Sequence, residues 1–259
     1  MDLGLTGKKA VVCASSRGLG YACAAALARE GAHVIINGRN AETLTAAENE
    51  IRKLKAGAVS SVVADLDSED GRAALLESCD APDILVTNNG GPPPGTYQQW
   101  DEAMWRDAFT ANMIAPALLI RAVVDGMRER KFGRIVNITS AMVKSPHPNM
   151  GLSNSARSAL TAFSKGLSKE VAKDNVTINN LLPERFDTQR QQQMAELAMA
   201  LKKISYEEAW AEMEASIAAG RLGQPEELGD ACAFLCSEQA GFISGQNLQL
   251  DGGSYSGLI

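Results

Sequence analysis

The stretch Ala10-Val11-Val12-Cys13-Ala14-Ser15-Ser16-Arg17-Gly18-Leu19-Gly20 decides the fold. An apolar strand, Ala10 to Cys13, runs into a turn of small residues. The turn opens into a helix, Leu19 to Arg29, and after Gly31 a second apolar strand runs from His33 to Ile36. This βαβ unit of about 30 residues is the setting in which a glycine pair carries meaning. Without a Cβ, Gly18 and Gly20 let a pyrophosphate approach the backbone and let the helix pack closely on the strand. The amides at the helix start then face the phosphates.

Outward from this unit the chain keeps alternating. Helix is expected over Glu42 to Lys55, strand over Val59 to Ala64, and a short helix over Ser68 to Ser78 with Ser68 as its cap. A strand, Ile84 to Thr87, ends in Asn88-Asn89-Gly90-Gly91, and Pro92-Pro93-Pro94-Gly95 is a stiff loop. The pattern then gives a long helix from about Glu102 to Arg130, a strand over Arg134 to Thr139, a helix over Ser153 to Lys173 and a strand over Val176 to Leu182. A polar helical stretch covers 184–220. A helix with Pro225 in its first turn runs to Ser237, and a last strand is Asn247 to Leu250. Strands that are nearly continuous apolar runs, alternating with helices, specify a doubly wound parallel sheet of seven strands buried on both faces. This is an α/β, Rossmann-type single domain, 1–259. Ligands of such sheets bind at the carboxyl ends of the strands. The stretch 184–220 is too polar for core and reads as a helical lid.

Composition narrows the function. The 259 residues carry 25 basic and 31 acidic side chains, a net charge of −6 with no basic tract, so no nucleic-acid or acidic-membrane partner is expected. No apolar run approaches ~20 residues, so no membrane span is expected. The start, Met1-Asp2-Leu3-Gly4, lacks a signal pattern, which points to the cytoplasm. The five cysteines (Cys13, Cys23, Cys79, Cys232, Cys236) sit in apolar or helical surroundings and read as buried reduced thiols. With two histidines in all, no metal site is expected.

Taken together, these motifs resemble the short-chain dehydrogenase/reductase family, and specifically its acyl-carrier-protein ketoreductase type, over nearly the whole length. Ser15, Ser16, Arg17, Gly18, Leu19 and Gly20 resemble the family's cofactor turn. Asp65, with Leu66, falls where the family contacts adenine. Asn89, Gly90 and Gly91 resemble the motif after strand four. Asn112, Asn137 to Ser140, Leu182-Pro183, Arg221 to Leu228 and Asp251-Gly252-Gly253 fall in register. The resemblance implies NAD(P)-dependent interconversion of a carbonyl and an alcohol on a small or acyl-type substrate. It also implies a homotetramer or homodimer, with the long helices and the last strand at the interfaces. The apolar tail Gly257-Leu258-Ile259 fits docking.

Cofactor choice follows from charge. A carboxylate at the end of the second strand would bond both ribose hydroxyls and repel a 2′-phosphate. The chain has Asn37-Gly38-Arg39 there, and Arg17 lies inside the turn. Two guanidinium groups suit a phosphate, so NADP(H) is expected over NAD(H).

Departures from the family pattern concern the chemistry. Ala14 replaces the turn's first glycine, a change of one methyl. Glu184 replaces the glycine after Pro183, whereas Thr188 keeps a hydroxyl where the family contacts the carboxamide. The family's serine, then tyrosine thirteen residues on, then lysine four further, becomes Ser140, Ser153 and Arg157. Ser153 and Arg157 share a helical face. An aliphatic hydroxyl is a far weaker acid than a phenol near ~10, and arginine does not give up its proton. Ser140 remains to bond a carbonyl oxygen. Asn112 remains too, its own carbonyl released from helical bonding by Pro116. Candidates to replace the phenol are His147, held between Pro146 and Pro148, and Arg157 acting as an electrophile. Lys144 neighbours His147. Arg157, Arg185 and Arg190 would also suit an acidic substrate. Two alternatives to a reductase stand: a cofactor-binding member that performs a lyase, isomerase or binding role without hydride transfer, and a partner subunit supporting an active relative.

Overall fold

The computed structural model describes residues 2–54 and 57–258. Its frame is β1 (Lys9–Val12), α1 (Gly18–Arg29), β2 (His33–Gly38), α2 (Ala41–Arg52), β3 (Val59–Val63), α3 (Glu69–Glu77) and β4 (Ile84–Thr87). It continues with α4 (Glu102–Phe109), a π-helical turn (Thr110–Ile114), α5 (Ala115–Glu129), β5 (Gly133–Ile138), α6 (Gly151–Val171) and β6 (Val176–Pro183). Then come α7 (Gln189–Lys202), α8 (Tyr206–Ala215), α9 (Pro225–Cys236) and β7 (Asn247–Leu250). All seven strands are parallel, in the order β3-β2-β1-β4-β5-β6-β7. The chain winds outward from β1 on one side and restarts at β4 on the other. The switch crevice therefore opens between the carboxyl ends of β1 and β4.

Two apolar layers hold the sheet. Cys23, Leu27, Leu228 and Cys232 from α1 and α9 cover one face with Val12, Ile36 and Val86. Leu119, Ile120, Val123 and Leu160 from α5 and α6 cover the other with Val11, Leu85 and Ile135. Register on the β4–β7 side is fixed by a buried polar ladder. Thr87 Oγ1 donates to Asn137 Oδ1 at 2.6 Å, Asn137 Nδ2 to Asn180 Oδ1 at 2.9 Å, and Asn180 Nδ2 to Asn247 Oδ1 at 2.8 Å. A slip of one residue would break every rung and bury the orphans, which makes the ladder a register lock. All five cysteines are buried and free, as expected.

Local signals set the helix starts. Ser68 accepts from Gly71 N–H at 3.0 Å, and Asn40 caps α2 by accepting from Thr43 N–H at 2.9 Å. The expected end of that helix at Lys55 lies outside the described residues, as does Ile259.

Two expectations are corrected. The long helix over Glu102 to Arg130 is not uniform. Pro116 has no N–H to offer the Asn112 carbonyl, and Ala115 N–H reaches back to Thr110 O, five residues away, which makes the π turn. The continuous rod Glu102–Glu129 is also long and apolar enough, by length and composition, to cross a membrane. In the fold, its stripe of Leu119, Ile120, Val123, Val124 and Met127 packs against the sheet. Leu258 in the tail is fully exposed on this chain.

Candidate active site

Each strand exit on the carboxyl side brings one part of the site. The β1 exit is the turn Ala14 to Gly20. Ala14 has φ +44°, a left-handed conformation that costs a non-glycine residue about 1 kcal/mol or more. Two side chains hold it there. Asn37 Oδ1 accepts from Ala14 N–H at 3.2 Å, and Asn88 Nδ2 donates to Ala14 O at 3.2 Å across the β1–β4 crevice. Asn37 Nδ2 also donates to Val62 O and Ala64 O, tying the turn to β3. Ser15 is buried: its N–H and Asn37 N–H exchange bonds with Asn37 O (2.7 Å) and Ser15 Oγ (3.0 Å). Replacing the turn's first glycine by alanine is thus more than a spare methyl. The sequence hint was an asparagine in an otherwise apolar strand.

The turn fits a dinucleotide pyrophosphate. A Cβ on Gly20 would lie 2.4 Å from Ala14 O, so only glycine allows this approach of helix to turn. Gly18 has φ +60° and meets only Thr188 Cγ2, at 3.9 Å. Arg17 at the N-cap gives α1 no side-chain cap, leaving the first-turn amides to an external anion. Leu19 anchors the turn by packing on the core. Ser16 lies against Gly38 at the β2 exit, and Arg17 and Arg39 are exposed with no carboxylate at that strand's end.

The β3 and β4 exits meet. Leu66 is buried, and Asp65 is exposed, with its Oδ1 accepting from Asp67 N–H. Asn89 Nδ2 donates to Asp67 Oδ1 at 2.9 Å and to Ala111 O, and Asn89 Oδ1 accepts from Gly90 N–H. Burial pushes the Asp67 carboxyl up, while the Asn89 bond draws it down. Gly90 faces open space, and Gly91 has only Arg157 Nη2 near it, 3.8 Å from a would-be Cβ. Sequence reading missed Asp67, which carries no motif of its own.

The four residues expected to be catalytic gather at the floor of the crevice. Ser140, at the β5 exit, accepts from Met142 N–H at 3.2 Å. Asn112, in the π turn, is buried and donates to Gly90 O at 3.3 Å, and its Oδ1 has no partner among the described residues. Ser153 and Arg157 lie one turn apart on α6, with Arg157 Nε donating to Ser153 Oγ at 3.2 Å. Arg157 is 8% exposed and donates further to Ile138 O (2.7 Å), Thr139 O (3.1 Å) and Asn89 O (3.4 Å). Four bonds leave one of its five N–H groups uncommitted. Burial, with Arg190 adding to it, holds the guanidinium down at about 10.

The loop after Ser140 forms a rim. His147 is exposed; its Nδ1 accepts from Asn149 N–H at 3.2 Å and its carbonyl from Asn154 Nδ2 at 2.9 Å. Lys144 Nζ lies 5.1 Å over the Tyr255 ring. From the β6 exit, Pro183 is buried and Glu184 N–H bonds Leu250 O of β7. Arg185 keeps a buried Nε without a partner among the described residues.

The helices α7 and α8 share a small core of Ala195, Ala209 and Met213 with Ile217 and Leu222 from the chain that follows them. The α7 start leans on the cofactor turn: Arg17 Nη1 donates to Gln189 Oε1, Thr188 lies by Gly18, and Arg190 donates to Pro92 O at 3.2 Å.

A family model described as enoyl-(acyl carrier protein) reductase matches residues 13–255. The NADPH-dependent reductase BacG of Bacillus subtilis (strain 168) is 30% identical over 256 residues, 97% of this chain and 99% of that one. Gluconate 5-dehydrogenase of Gluconobacter oxydans is 34% identical over 252 residues, 96% and 95% of the two chains. Among solved structures, L-sorbose reductase from Gluconobacter frateurii, complexed with NADPH and L-sorbose, superposes with a TM-score of 0.94 at 30% identity, covering 100% of both chains.

Proposed function

The chain belongs to the short-chain dehydrogenase/reductase family, and from that premise we propose that it is an NADP(H)-dependent oxidoreductase interconverting a carbonyl and an alcohol on a small, acidic or acyl-type substrate, with a non-standard active site. The observation that carries this is the latched turn at Ala14 to Gly20, with Arg17 and Arg39 beside a strand end that has no carboxylate. Gly18, Leu19 and Gly20 with the α1 amides hold the pyrophosphate. Arg17 and Arg39 take the 2′-phosphate, Asp65 and Leu66 the adenine. Asn89, Gly90, Gly91, Pro183 and Thr188 frame the other half. When bound, the dinucleotide supplies or accepts the hydride.

The chain's own residues do the rest. Ser140 Oγ already accepts from Met142 N–H, so its proton is directed to a substrate oxygen. Ser153 Oγ accepts from a guanidinium N–H, which polarises its hydroxyl toward donation. Asn112 offers its main-chain carbonyl to a water, since Pro116 supplies no N–H. His147, with Nδ1 engaged as acceptor, presents Nε2–H at the rim. Arg185 and Arg190 favour an acidic or acyl-type substrate. Residues 184–220 act as the lid. A homo-oligomer, dimer or tetramer, fits the edge strand β7 and the exposed Phe234, Phe242 and Leu248.

One observation favours a second reading. With four Arg157 donors committed to Ser153 and the main chain, the floor is braced as for binding rather than hydride transfer. The deciding experiment follows NADPH oxidation against ketones, oxo acids and acyl thioesters, beside calorimetry. Turnover supports the reductase; tight NADPH binding with no carbonyl reduced supports the second reading; no binding of either dinucleotide sinks both.

A further inference from the structure

The site described so far lacks a strong proton donor, and one acid at its floor is unused. Glu184 is the first residue beyond β6, and its N–H bond to Leu250 O, 3.0 Å, fixes its backbone to the sheet edge. Its carboxylate has no hydrogen-bond or ion-pair partner among the described residues. The charges that act on it come from three places: Arg185 beside it, Asp251 at the end of β7, and His147 in the loop beyond β5. β6 lies between β5 and β7 in the sheet, so Glu184 stands at the carboxyl edge between the exits of those two strands. Register fixes it further: Ile138 pairs with Leu181, so Ser140 stands level with Pro183, one residue short of Glu184. In a doubly wound sheet the two halves of a dinucleotide flank the switch. With the phosphate turn on β1 and Arg39 after β2, the reacting half belongs to β4–β6, where Ser140 and Glu184 lie.

We propose that Glu184 is the general acid of this site, giving its proton to the substrate oxygen that Ser140 holds; this rests on the reductase reading above. In reduction the Oε–H bond of Glu184 breaks, and its electron pair stays on the carboxylate. The new O–H bond forms with the electron pair released onto oxygen when the carbonyl carbon takes up the hydride. Water in the cleft restores the carboxylic acid, and oxidation runs the same steps backward. Burial supports the role by pushing the carboxyl up; Asp251 adds to this, while Arg185 and His147 oppose it. An acid tuned upward by burial keeps more of its protonated form at working pH.

Two measurements test this on the full chain. The first titrates the apo protein labelled with ¹³C at the glutamate carboxyls, with the Glu184→Gln spectrum assigning the resonance. Titration above the ordinary glutamate value of about 4.3 supports the proposal, and titration at or below it overturns it. The second follows kcat against pH for wild type, Glu184→Gln and Glu184→Asp. Wild-type reduction should fall as pH rises through the carboxyl's titration. Glu184→Gln should lose about 100-fold or more in kcat together with that limb, and Glu184→Asp should restore part of both. A Glu184→Gln protein that folds, binds NADPH and keeps the wild-type profile overturns the assignment alone. A wild type that reduces no carbonyl overturns the reductase reading and this assignment with it.

Discussion

Arg157 Nε donates to Ser153 Oγ across one turn of α6, while the same guanidinium bonds the last carbonyls of β5. It thereby staples α6 to the floor of the crevice and reaches Asn89 O at the β4 exit. Removing it leaves three carbonyls and a hydroxyl without their donor in a buried place. Arg157→Ala should cost the apo protein about 3 kcal/mol. Arg157→Lys, with three donors but no planar fork, should recover only part of that. Urea denaturation without cofactor measures both. Equal stability of all three proteins would show that the staple bears no load.

The strain at Ala14 gives an opposite expectation. At φ +44° glycine is the better residue, and Asn37 and Asn88 remain to hold the turn. Ala14→Gly should gain about 0.5–1 kcal/mol, the strain relieved less the added freedom of the unfolded chain. That appears as a rise in Tm of about 1–4 °C for a chain of this size. Asn37→Ala should do the reverse, because it strands Ala14 N–H and two β3-side carbonyls. Scanning calorimetry on the two variants reads both signs.

How far the sequence foretold these features depends on the range of the interaction. The seven strands and the exits that bear glycine or asparagine were legible, since alternation of apolar runs with helices is a local pattern. Ser68 and Pro225 announced their helix starts for the same reason. Asn37 was read only as the absence of an acid. Its latch depends on β1 and β3 lying either side of it, which no spacing reveals. The π turn was half visible: Pro116 showed which carbonyl would be freed, but not that Ala115 would reach Thr110. Arg157 was expected to be available to a substrate. Only the register of α6 over β5 shows that it spends its donors on Ile138 and Thr139. Asp67 became a neighbour of Asn89, and Gln189 of Arg17, through tertiary packing alone.

In the proposed function Arg17 and Arg39 set the cofactor preference by charge, so their loss should be read through phosphate. Arg39→Asp introduces the carboxylate that bonds ribose hydroxyls and repels a 2′-phosphate. Combined with Arg17→Ala, it should weaken NADPH binding at least tenfold while leaving NADH equal or tighter. The salt dependence of NADPH binding should flatten in the same variant, since fewer ionic contacts remain to be screened. Calorimetric titration at two ionic strengths tests both. Preference unchanged by the double substitution would refute the assignment of the two arginines.

Acid stability has a local source at the start of α9. Glu227 accepts from Arg221 at 2.7 and 2.9 Å and from Gln224 N–H at 2.7 Å, and these bonds hold its carboxyl down at about 2. The folded value lies below the unfolded value of about 4.3, so the unfolded chain binds the proton more readily. The contribution is complete above the unfolded value and drains away as pH falls toward about 2. Arg221 and Glu227 are 53% and 46% exposed, so solvent screening keeps the pair's contribution small. Glu227→Gln should therefore lower stability slightly at pH 7 and converge on wild type as pH falls below the folded value of about 2, where the carboxyl is protonated in both folded and unfolded chains. Urea midpoints between those limits give the difference curve. A gap that widens on acidification would reverse the sign and exclude this pair as its cause.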